Sequence, residues 1–305
     1  MLNIQIVKTE FMIESYLYNN SLEFYEVLLL GPLSEVYTAR KENTQTNDWE
    51  DYSNLLIDKF AIHSSTFFHI SAGIIEHKKS GETKRMNGYD LFTVNTTIRA
   101  IIETYSVFNH IFVEPNTSDE KYFRFLLWKL DGLFQEKKYE IEMKDFDGVD
   151  KILKLRDDEI KTIITYINNS EFIKNITPNE LSKIYDPEKK KANWKFLIES
   201  NKIKPLKIIE LIKYCCKTRA FVNTYKHASV HTHSNFPAIE EFKNTRGKEI
   251  SDEYTGPIVR LAIFLTCILI SDICIIDSNA KNKLDEFPDL MKDFIVGIND
   301  SIKSK

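Results

Sequence analysis

The sequence predicts an all-α fold, a helical bundle of about seven or eight helices, and three observations support this prediction. The 305 residues include only 9 Gly and 8 Pro, residues that folds made of short strands and turns use often. Hydrophobic residues make up 43% and charged residues 28% of the chain, which is enough for a core and a solvated surface. Apolar residues recur at spacings of three and four, the helical period. A short strand near residues 4–7 is the one departure that we expect.

Four helices are predicted in the first part of the chain. Each is a segment with apolar residues at helical spacing: 52–77, 90–113, 118–138 and 149–168. Pro115 follows the second of them, as is usual after a helix end. Asp119 and Glu120 place acidic groups in the first turn of the third, where the helix dipole favours them.

Residues 169–205 are less regular and are interpreted as a polar linker or insertion. Within them, Thr177, Pro178 and Glu180 have the pattern of a helix start, with a hydroxyl cap, a proline at the first position and a capping-box carboxylate. Three further helices are predicted after the linker: 205–235, 257–277 and 284–302. The expected domain organisation is an N-terminal extension, residues 1–50, packed on a helical domain of residues 51–305.

The net charge bears on nucleic-acid binding, and the cysteine content and the N-terminus predict a cytoplasmic protein. The net charge of −4 gives no support for a protein that coats nucleic acid. The four cysteines form no Cys-x-x-Cys pair, so we interpret them as small buried residues in a reducing compartment. The N-terminus lacks the basic start, the long apolar stretch and the cleavage site of a signal peptide.

Residues 257–276 are the one segment apolar enough to suggest a membrane span, for which about 20 residues suffice. The segment contains Arg260 and Asp272, and no other segment of this kind accompanies it. A helix that is apolar on all sides is also typical of the centre of a bundle. We therefore expect a central core helix and no membrane association.

The helix predicted over residues 90–113 carries a polar stripe. At 100° per residue, Arg99, Glu103, Ser106 and His110 lie within about 60° of one another. Arg99 and Glu103 are the only charged residues between Asp90 and Glu114, so the helix should be buried on most sides and its charged groups should need partners. The alternative is a solvated face with an ordinary Arg–Glu pair, worth only ~0.2–0.5 kcal/mol.

A second polar cluster lies on the helix predicted over residues 205–235. Tyr225, Ser229 and His233 share one face of it, four residues apart. His233 is near the helix end, where the dipole favours a positive imidazole, and is interpreted as a general acid, an anion binder or a structural latch. The chain has no Gly-x-Ser-x-Gly elbow, which argues against a serine hydrolase.

His227 and His231 lie on the opposite face of the same helix, at the spacing of a helical metal-binding pair. The His-Glu-x-x-His signature of metalloproteases is absent. A third ligand would have to come from elsewhere, with Glu240, Glu241, His63 and His69 as candidates. The alternative interpretation is a pair of surface histidines.

Together the two polar helices resemble an uncharacterised bacterial family of all-helical domains of unknown function. The pattern of that family is Arg-x-x-x-Glu on one helix, here Arg99 and Glu103, and Tyr-x-x-x-Ser-x-x-x-His on a later one, here Tyr225, Ser229 and His233. The resemblance covers about residues 55–280 and brings no agreed activity with it.

The chain is more distantly similar to the higher-eukaryote-and-prokaryote nucleotide-binding (HEPN-like) helical domains. Many of these are metal-independent RNases of toxin–antitoxin and phage-defence systems, with an active site formed across a dimer. They carry an Arg followed after four to six residues by a His on one helix. This sequence departs from that spacing, since ten residues separate Arg99 from His110 and seven separate Arg219 from His227.

The first functional hypothesis is a metal-independent nuclease or nucleotide-acting effector of a bacterial defence or toxin system. His110 or His233 would move the proton of a 2′-hydroxyl, Arg99 would stabilise the phosphate, and Glu103 would fix the guanidinium. No cofactor is expected. The expected partners are RNA or a nucleotide, together with a second copy of the chain or another protein.

Two hypotheses from other classes remain open. One is a non-enzymatic helical interaction or scaffold module, in which the polar groups satisfy one another as a structural network. The other is a metal-dependent hydrolase that uses His227 and His231 as ligands.

Overall fold

The computed structural model describes residues 20–43, 47–77, 81, 83–86, 90–138, 149–233, 235–245 and 252–303. The strand predicted near residues 4–7 lies outside these residues. The chain divides into two compact units, the first formed by Met1–Asn109 with Ile212–Lys305 and the second by His110–Leu211. The predicted linker, residues 169–205, lies within the second unit.

Helices dominate the described residues. In chain order they are α1 (Ser21–Leu28), α2 (Ser34–Asn43), α3 (Asp51–Ser71), α4 (Leu91–Phe108), α5 (Ser118–Glu136), α6 (Val149–Asn168), α7 (Glu171–Lys174), α8 (Pro178–Leu181), α9 (Ile208–Cys216), α10 (Arg219–Thr232), α11 (Phe236–Thr245), α12 (Asp252–Ile276), α13 (Ser278–Asp285) and α14 (Asp289–Lys303). Two π-helical turns, Leu29–Leu33 and Asn109–Val113, continue α1 and α4.

The strands of the described residues form three short antiparallel hairpins. They are β1 (Ile74–His77) with β2 (Thr83–Met86), β3 (Tyr185–Asp186) with β4 (Lys191–Ala192), and β5 (Phe196–Glu199) with β6 (Lys202–Pro205). The largely helical class is therefore confirmed, with small hairpins that the sequence analysis did not predict.

The prediction of seven or eight helices is too low, because several predicted helices are interrupted. Lys217 has a φ of +54°, which ends α9 and divides the helix predicted over 205–235. Gly73 has a φ of +96° and ends the helix predicted over 52–77, so that residues 74–77 pair as β1. Pro288 lies between α13 and α14, where a single helix was predicted over 284–302.

The apolar helix α12 lies at the centre of the first unit. It contacts α1, α2, α3, α4, α13 and α14, and Ile263, Leu265, Ile268 and Ile270 on it are fully buried. Among the described residues, Thr255–Ile276 is the one helix long and apolar enough to cross a membrane, and 61% of its most apolar window is buried inside the protein. A core helix of a folded domain passes the same test.

A buried polar network joins three helices of the first unit. Arg40 on α2 donates from Nε to Oδ1 of Asn54 at 2.9 Å and from Nη2 to Oγ of Ser53 at 2.7 Å. Its Nη1 lies 3.5 Å from Oδ2 of Asp277. Asp277 also caps α13, accepting a hydrogen bond from the amide of Ala280 at 2.8 Å. The network fixes α2, α3 and α13 through one buried cation.

In the second unit, α5 packs against α6, and Lys129 pairs across them with Glu159 at 2.6 Å. The hydroxyl cap and the proline predicted at the start of α8 are confirmed, since the Thr177 hydroxyl accepts from the amide of Glu180 and Pro178 begins the helix. Glu180 in turn accepts from the amide of Ile203 at 2.6 Å. This contact attaches α8 to β6.

Candidate functional site

The pair of helices that carries the first candidate site is α4 and α10, which pack against each other in the first unit. The side chain of Asp90 caps α4 by accepting from the amide of Thr93 at 3.0 Å. The Thr218 hydroxyl caps α10 by accepting from the amide of Ala220. Both caps satisfy amides that a helix start leaves without partners, and they set where each helix begins.

Arg99, Glu103 and Tyr225 meet between these helices, and we call them the Arg99 cluster. Nε of Arg99 donates to Oε1 of Glu103 at 3.1 Å, and the Tyr225 hydroxyl donates to the same oxygen at 2.7 Å. The guanidinium carbon lies 5.1 Å from the centre of the Tyr225 ring, within cation–π range. The structure thus joins members of both predicted polar clusters.

The Arg99 cluster is partly open to solvent. The side chain of Arg99 is 25% exposed and that of Glu103 is 38% exposed, whereas Tyr225 is buried. Burial raises the pKa of Tyr225 to about 12, and the hydrogen bond to Glu103 adds to the shift. Burial alone would lower the pKa of Arg99, but the bond to Glu103 and the neighbouring Tyr225 raise it overall. The phenol therefore stays protonated and donates at neutral pH.

Ser229 and His233 share a helix face with Tyr225 but form no hydrogen bond with Arg99 or Glu103. The Ser229 hydroxyl donates to the carbonyl oxygen of Tyr225 at 2.8 Å, within its own helix. His233 is the C-cap residue of α10 and is exposed. The eight residues from Tyr225 to His233 correspond to roughly 12 Å along the helix axis.

His110 belongs to the second unit and is fully buried there. Arg124 donates from Nη1 to the carbonyl oxygen of His110 at 2.8 Å, and the same nitrogen lies 3.0 Å from Nδ1 of the ring. The ring Nε2 lies 3.1 Å from the carbonyl oxygen of Trp194. Burial, together with the charge of Arg124, holds the pKa of His110 well below its usual value. These contacts are those of a neutral ring fixed in a core.

Sequence reasoning missed Arg124, which is as buried as His110 and pairs with Glu120 one turn earlier. Its guanidinium also lies 4.9 Å from the centre of the Phe196 ring. The Glu120–Arg124 spacing of four residues was a visible signal in the sequence, but nothing in the sequence indicated that the pair would face inward onto His110.

A second group of polar side chains, which we call the His231 cluster, lies on the C-terminal half of α10 and on α11. It consists of His227, His231 and Glu241, whose candidate ligand atoms all lie within 4.8 Å of one another. Nε2 of His231 is 3.0 Å and Nε2 of His227 is 3.8 Å from Oε2 of Glu241. Of the third ligands that the sequence suggested, Glu241 joins the pair, Glu240 pairs with Lys243, and His63 and His69 lie on α3.

The three residues of the His231 cluster differ in exposure. The side chain of His231 is only 1% exposed and that of His227 is 53% exposed, while Glu241 is intermediate. Burial, followed by the charge of His227, lowers the pKa of His231. The Phe92 ring packs beside the buried His231 ring, with 6.0 Å between the ring centroids, and the Phe242 ring lies 5.3 Å from that of Phe92. The cluster is therefore apolar on one side and open on the other.

Asp272 is a third polar feature, and sequence analysis treated it only as an interruption of an apolar segment. It is fully buried and accepts from the Tyr105 hydroxyl at 2.9 Å and from Nδ2 of Asn109 at 2.8 Å. Burial, reinforced by the charge of Asp272, raises the pKa of Tyr105 well above its usual value. These bonds join α12 to α4 within the core, which is a structural role.

Comparison with known proteins places the chain in a family without assigning it an activity. A model of a family described as "Family of unknown function (DUF5677)" matches residues 85–250. Neither the curated proteins nor the solved structures include one that matches this chain. The matched region is more than half of the chain and includes both the Arg99 cluster and the His231 cluster. The chain therefore belongs to this family of unknown function (DUF5677).

Proposed function

We propose that the chain binds a phosphate-bearing ligand, a nucleotide or RNA, at the Arg99 cluster. The observation that supports this most is an arginine whose guanidinium is oriented by a carboxylate and an aromatic ring while a quarter of its side chain stays exposed. A guanidinium presents a planar array of donors that matches phosphate oxygens.

Orientation of Arg99 before binding matters because a free arginine side chain loses ~2 kcal/mol of rotamer entropy when it is fixed. Glu103 takes the Nε donor of Arg99, so the hydrogen bond to this carboxylate does not use the two terminal amino groups. Tyr225 fixes Glu103 from the neighbouring helix. Much of the ordering cost is therefore met before a ligand arrives, which favours binding at this position.

The positions of the histidines favour ligand binding over RNA cleavage as the function of the Arg99 cluster. A general base must be within hydrogen-bond reach of the proton that it removes, directly or through one water. His110 is buried in the second unit among its own partners, and His233 lies roughly 12 Å along α10 from Tyr225. An RNA that is cleaved at this surface would have to extend from Arg99 to His233.

The test is a titration of a fluorescein-labelled single-stranded RNA oligonucleotide, followed by fluorescence anisotropy, with ATP as competitor. Arg99→Ala should weaken binding about ten- to a hundredfold, because a hydrogen bond to a charged group contributes ~1.5–3 kcal/mol. The slope of the logarithm of the binding constant against the logarithm of the salt concentration should also become smaller by about 1, the value for one lost phosphate contact. Arg219→Ala is the matched control, since it removes the same charge from an exposed position of α10.

The result that contradicts the proposal is equal binding by Arg99→Ala and Arg219→Ala, or no binding of RNA or ATP by the unmodified protein. In that case the scaffold hypothesis becomes the better one, because Arg99, Glu103 and Tyr225 already satisfy one another. Thermal unfolding of each variant separates a lost contact with ligand from a lost fold.

Cleavage is tested separately, by incubating the same RNA with the protein in excess chelator. A metal-independent nuclease would produce fragments, and His233→Ala would abolish them while leaving binding intact. Uncleaved RNA in the presence of bound protein would restrict the function to binding.

A further inference from the structure

We propose that His227, His231 and Glu241 form a binding site for one transition-metal ion of the zinc class. The site is distinct from the Arg99 cluster, and the proposal does not depend on phosphate binding there. It uses two ligands from α10 and one from α11, all within the first unit.

The separations within the His231 cluster approach those of a metal site. Zinc ligands of these types lie about 2.0–2.2 Å from the ion, so two of them at a tetrahedral angle are about 3.4 Å apart. The Glu241 oxygen is 3.0 Å from Nε2 of His231 and 3.8 Å from Nε2 of His227. These two values lie on either side of the tetrahedral one. All three ligand atoms lie within 4.8 Å of one another, so the ligands must move together by at most about 1.4 Å to bind an ion.

The chemistry of the ligands selects the kind of ion. Two imidazole nitrogens and one carboxylate oxygen suit Zn²⁺ and its neighbours, Co²⁺ and Ni²⁺, whereas Mg²⁺ and Ca²⁺ prefer oxygen ligands. A ligating imidazole must be neutral. The side chain of His231 is only 1% exposed, and burial favours the neutral form.

Backbone geometry holds the ligands in place without a metal. His227 and His231 are one turn apart, and their ring centroids are 4.6 Å from each other. Glu241 lies on α11, which packs against α10. The Phe92 ring packs against the His231 ring, and the Phe242 ring packs against Phe92 in turn. His231 and Glu241 therefore occupy restricted positions, whereas His227 is more exposed.

The exposed side of the cluster leaves room for a further ligand. His227 is 53% exposed, and three protein ligands with an open position are typical of catalytic rather than structural zinc sites. An ion bound here would have access to water or to a substrate group as its fourth ligand. The alternative is a purely structural role, in which His231 and Glu241 form a hydrogen bond that fixes α11 to α10.

The experiment uses the full chain without a histidine tag, freed of metal with a chelator and then dialysed. Zn²⁺ binding is measured by calorimetry, and Co²⁺ binding by the visible absorption of the bound ion. We expect one ion per chain and a rise in thermal stability with Zn²⁺. His227→Ala should weaken binding at least tenfold, and because its side chain is exposed, the variant should remain folded.

Two matched controls make the result specific to the cluster. Glu241→Gln should weaken metal binding, whereas Glu240→Gln, at the adjacent carboxylate, should not. His233→Ala, at an exposed histidine close by, should also leave binding unchanged. The proposal is overturned if the unmodified protein binds neither ion or if His227→Ala binds Zn²⁺ as tightly as the unmodified protein. It is also overturned if Glu240→Gln and His233→Ala lose as much affinity as Glu241→Gln and His227→Ala.

Discussion

At the scale of single residues, the hydroxyl of Tyr225 makes a hydrogen bond between the two polar helices of the first unit, α4 and α10. It donates to Glu103 at 2.7 Å, and its ring lies beneath the guanidinium of Arg99. Tyr225 thus positions both charged members of the Arg99 cluster, because it donates a hydrogen bond to Glu103, which in turn accepts one from Arg99.

Tyr225→Phe removes that hydrogen bond and keeps the ring. The free energy of unfolding should fall by about 0.5–1.5 kcal/mol, the usual net contribution of one hydrogen bond. Urea unfolding measures it. Ser229→Ala is the control, because its hydroxyl bonds only within α10 and its loss should cost less. Equal stability of Tyr225→Phe and the unmodified protein would show that the bond contributes nothing.

The buried His110 predicts how stability depends on pH. Its pKa in the folded protein lies well below the ordinary histidine value of 6.5, so below pH 6.5 the unfolded chain binds a proton that the folded one does not. Stability should therefore decrease as the pH falls from 6.5, by at most about 1.4 kcal/mol per pH unit from this residue.

The variant His110→Gln tests this pH dependence. The slope of unfolding free energy against pH, between pH 6.5 and 5, should be smaller in His110→Gln than in the unmodified protein. The slope is compared rather than the absolute stability, since His110→Gln also loses packing. An unchanged slope in His110→Gln would contradict the assignment of a neutral buried ring.

At the scale of helices, Asp277 combines two roles that its neighbours cannot replace. One oxygen caps α13 through the amide of Ala280, and the other faces the buried Arg40. Burial lowers the pKa of Arg40, and the charge of Asp277 opposes that effect. The loss of Asp277 would therefore leave a buried cation without its counter-charge.

The pair Asp277→Asn and Asp277→Ala separates the two roles. Asparagine is a good helix cap but carries no charge, so Asp277→Asn should lose mainly the ion pair, up to about 3–5 kcal/mol for a buried charge left unpaired. Asp277→Ala should cost about 1 kcal/mol more, the value of the cap. Urea unfolding measures both, and equal losses would show that the cap does not contribute.

Helix starts and spacings could be predicted from the sequence, and Gly73 and Pro288 were visible signals for two of the helix interruptions, whereas the interruption at Lys217 could not be predicted. The cap of α8 follows from Thr177 and Pro178 because each residue type has a local physical preference there, whereas Glu180, predicted to complete a capping box, bonds to the amide of Ile203. The break at Lys217 has no such signal, since lysine rarely adopts a positive φ. The residue types around this position therefore did not predict the break.

In the candidate site, too, local contacts could be predicted from the sequence and long-range contacts could not. The Arg99–Glu103 pair could be predicted, because four residues form one helical turn. The contact of Glu103 with Tyr225 joins residues 122 positions apart, and no local pattern encodes it. His110 was placed on the stripe of Arg99 by assuming a regular helix, but it lies in the π-helical turn Asn109–Val113. The wider turn there changes the direction of the side chains.

At the scale of the whole molecule, α12 has the composition of a membrane span and the contacts of a core helix. Ile268 on it is fully buried, whereas Ile275 is 63% exposed. A folded domain tolerates a charge only at the exposed position, since an unpaired buried charge is costly. A lipid-embedded helix would accept a charge poorly at either position.

Ile268→Asp and Ile275→Asp distinguish these environments. Ile268→Asp should prevent folding or cost several kcal/mol, whereas Ile275→Asp should change the unfolding free energy by no more than about 0.5 kcal/mol, as surface substitutions usually do. Thermal and urea unfolding of protein prepared without detergent measures both. Similar damage from the two substitutions would contradict the central position of α12 in the core.

The measurement that tests the central claim most directly is an NMR titration of protein labelled with ¹⁵N at the arginine side chains. The Nε signal of Arg99, assigned by its absence in Arg99→Lys, is followed as ATP or single-stranded RNA is added. Binding at the Arg99 cluster predicts that this signal shifts in a saturable way while that of the buried Arg124 does not. Saturable binding with an unchanged Arg99 signal would place the ligand elsewhere and contradict the proposed function.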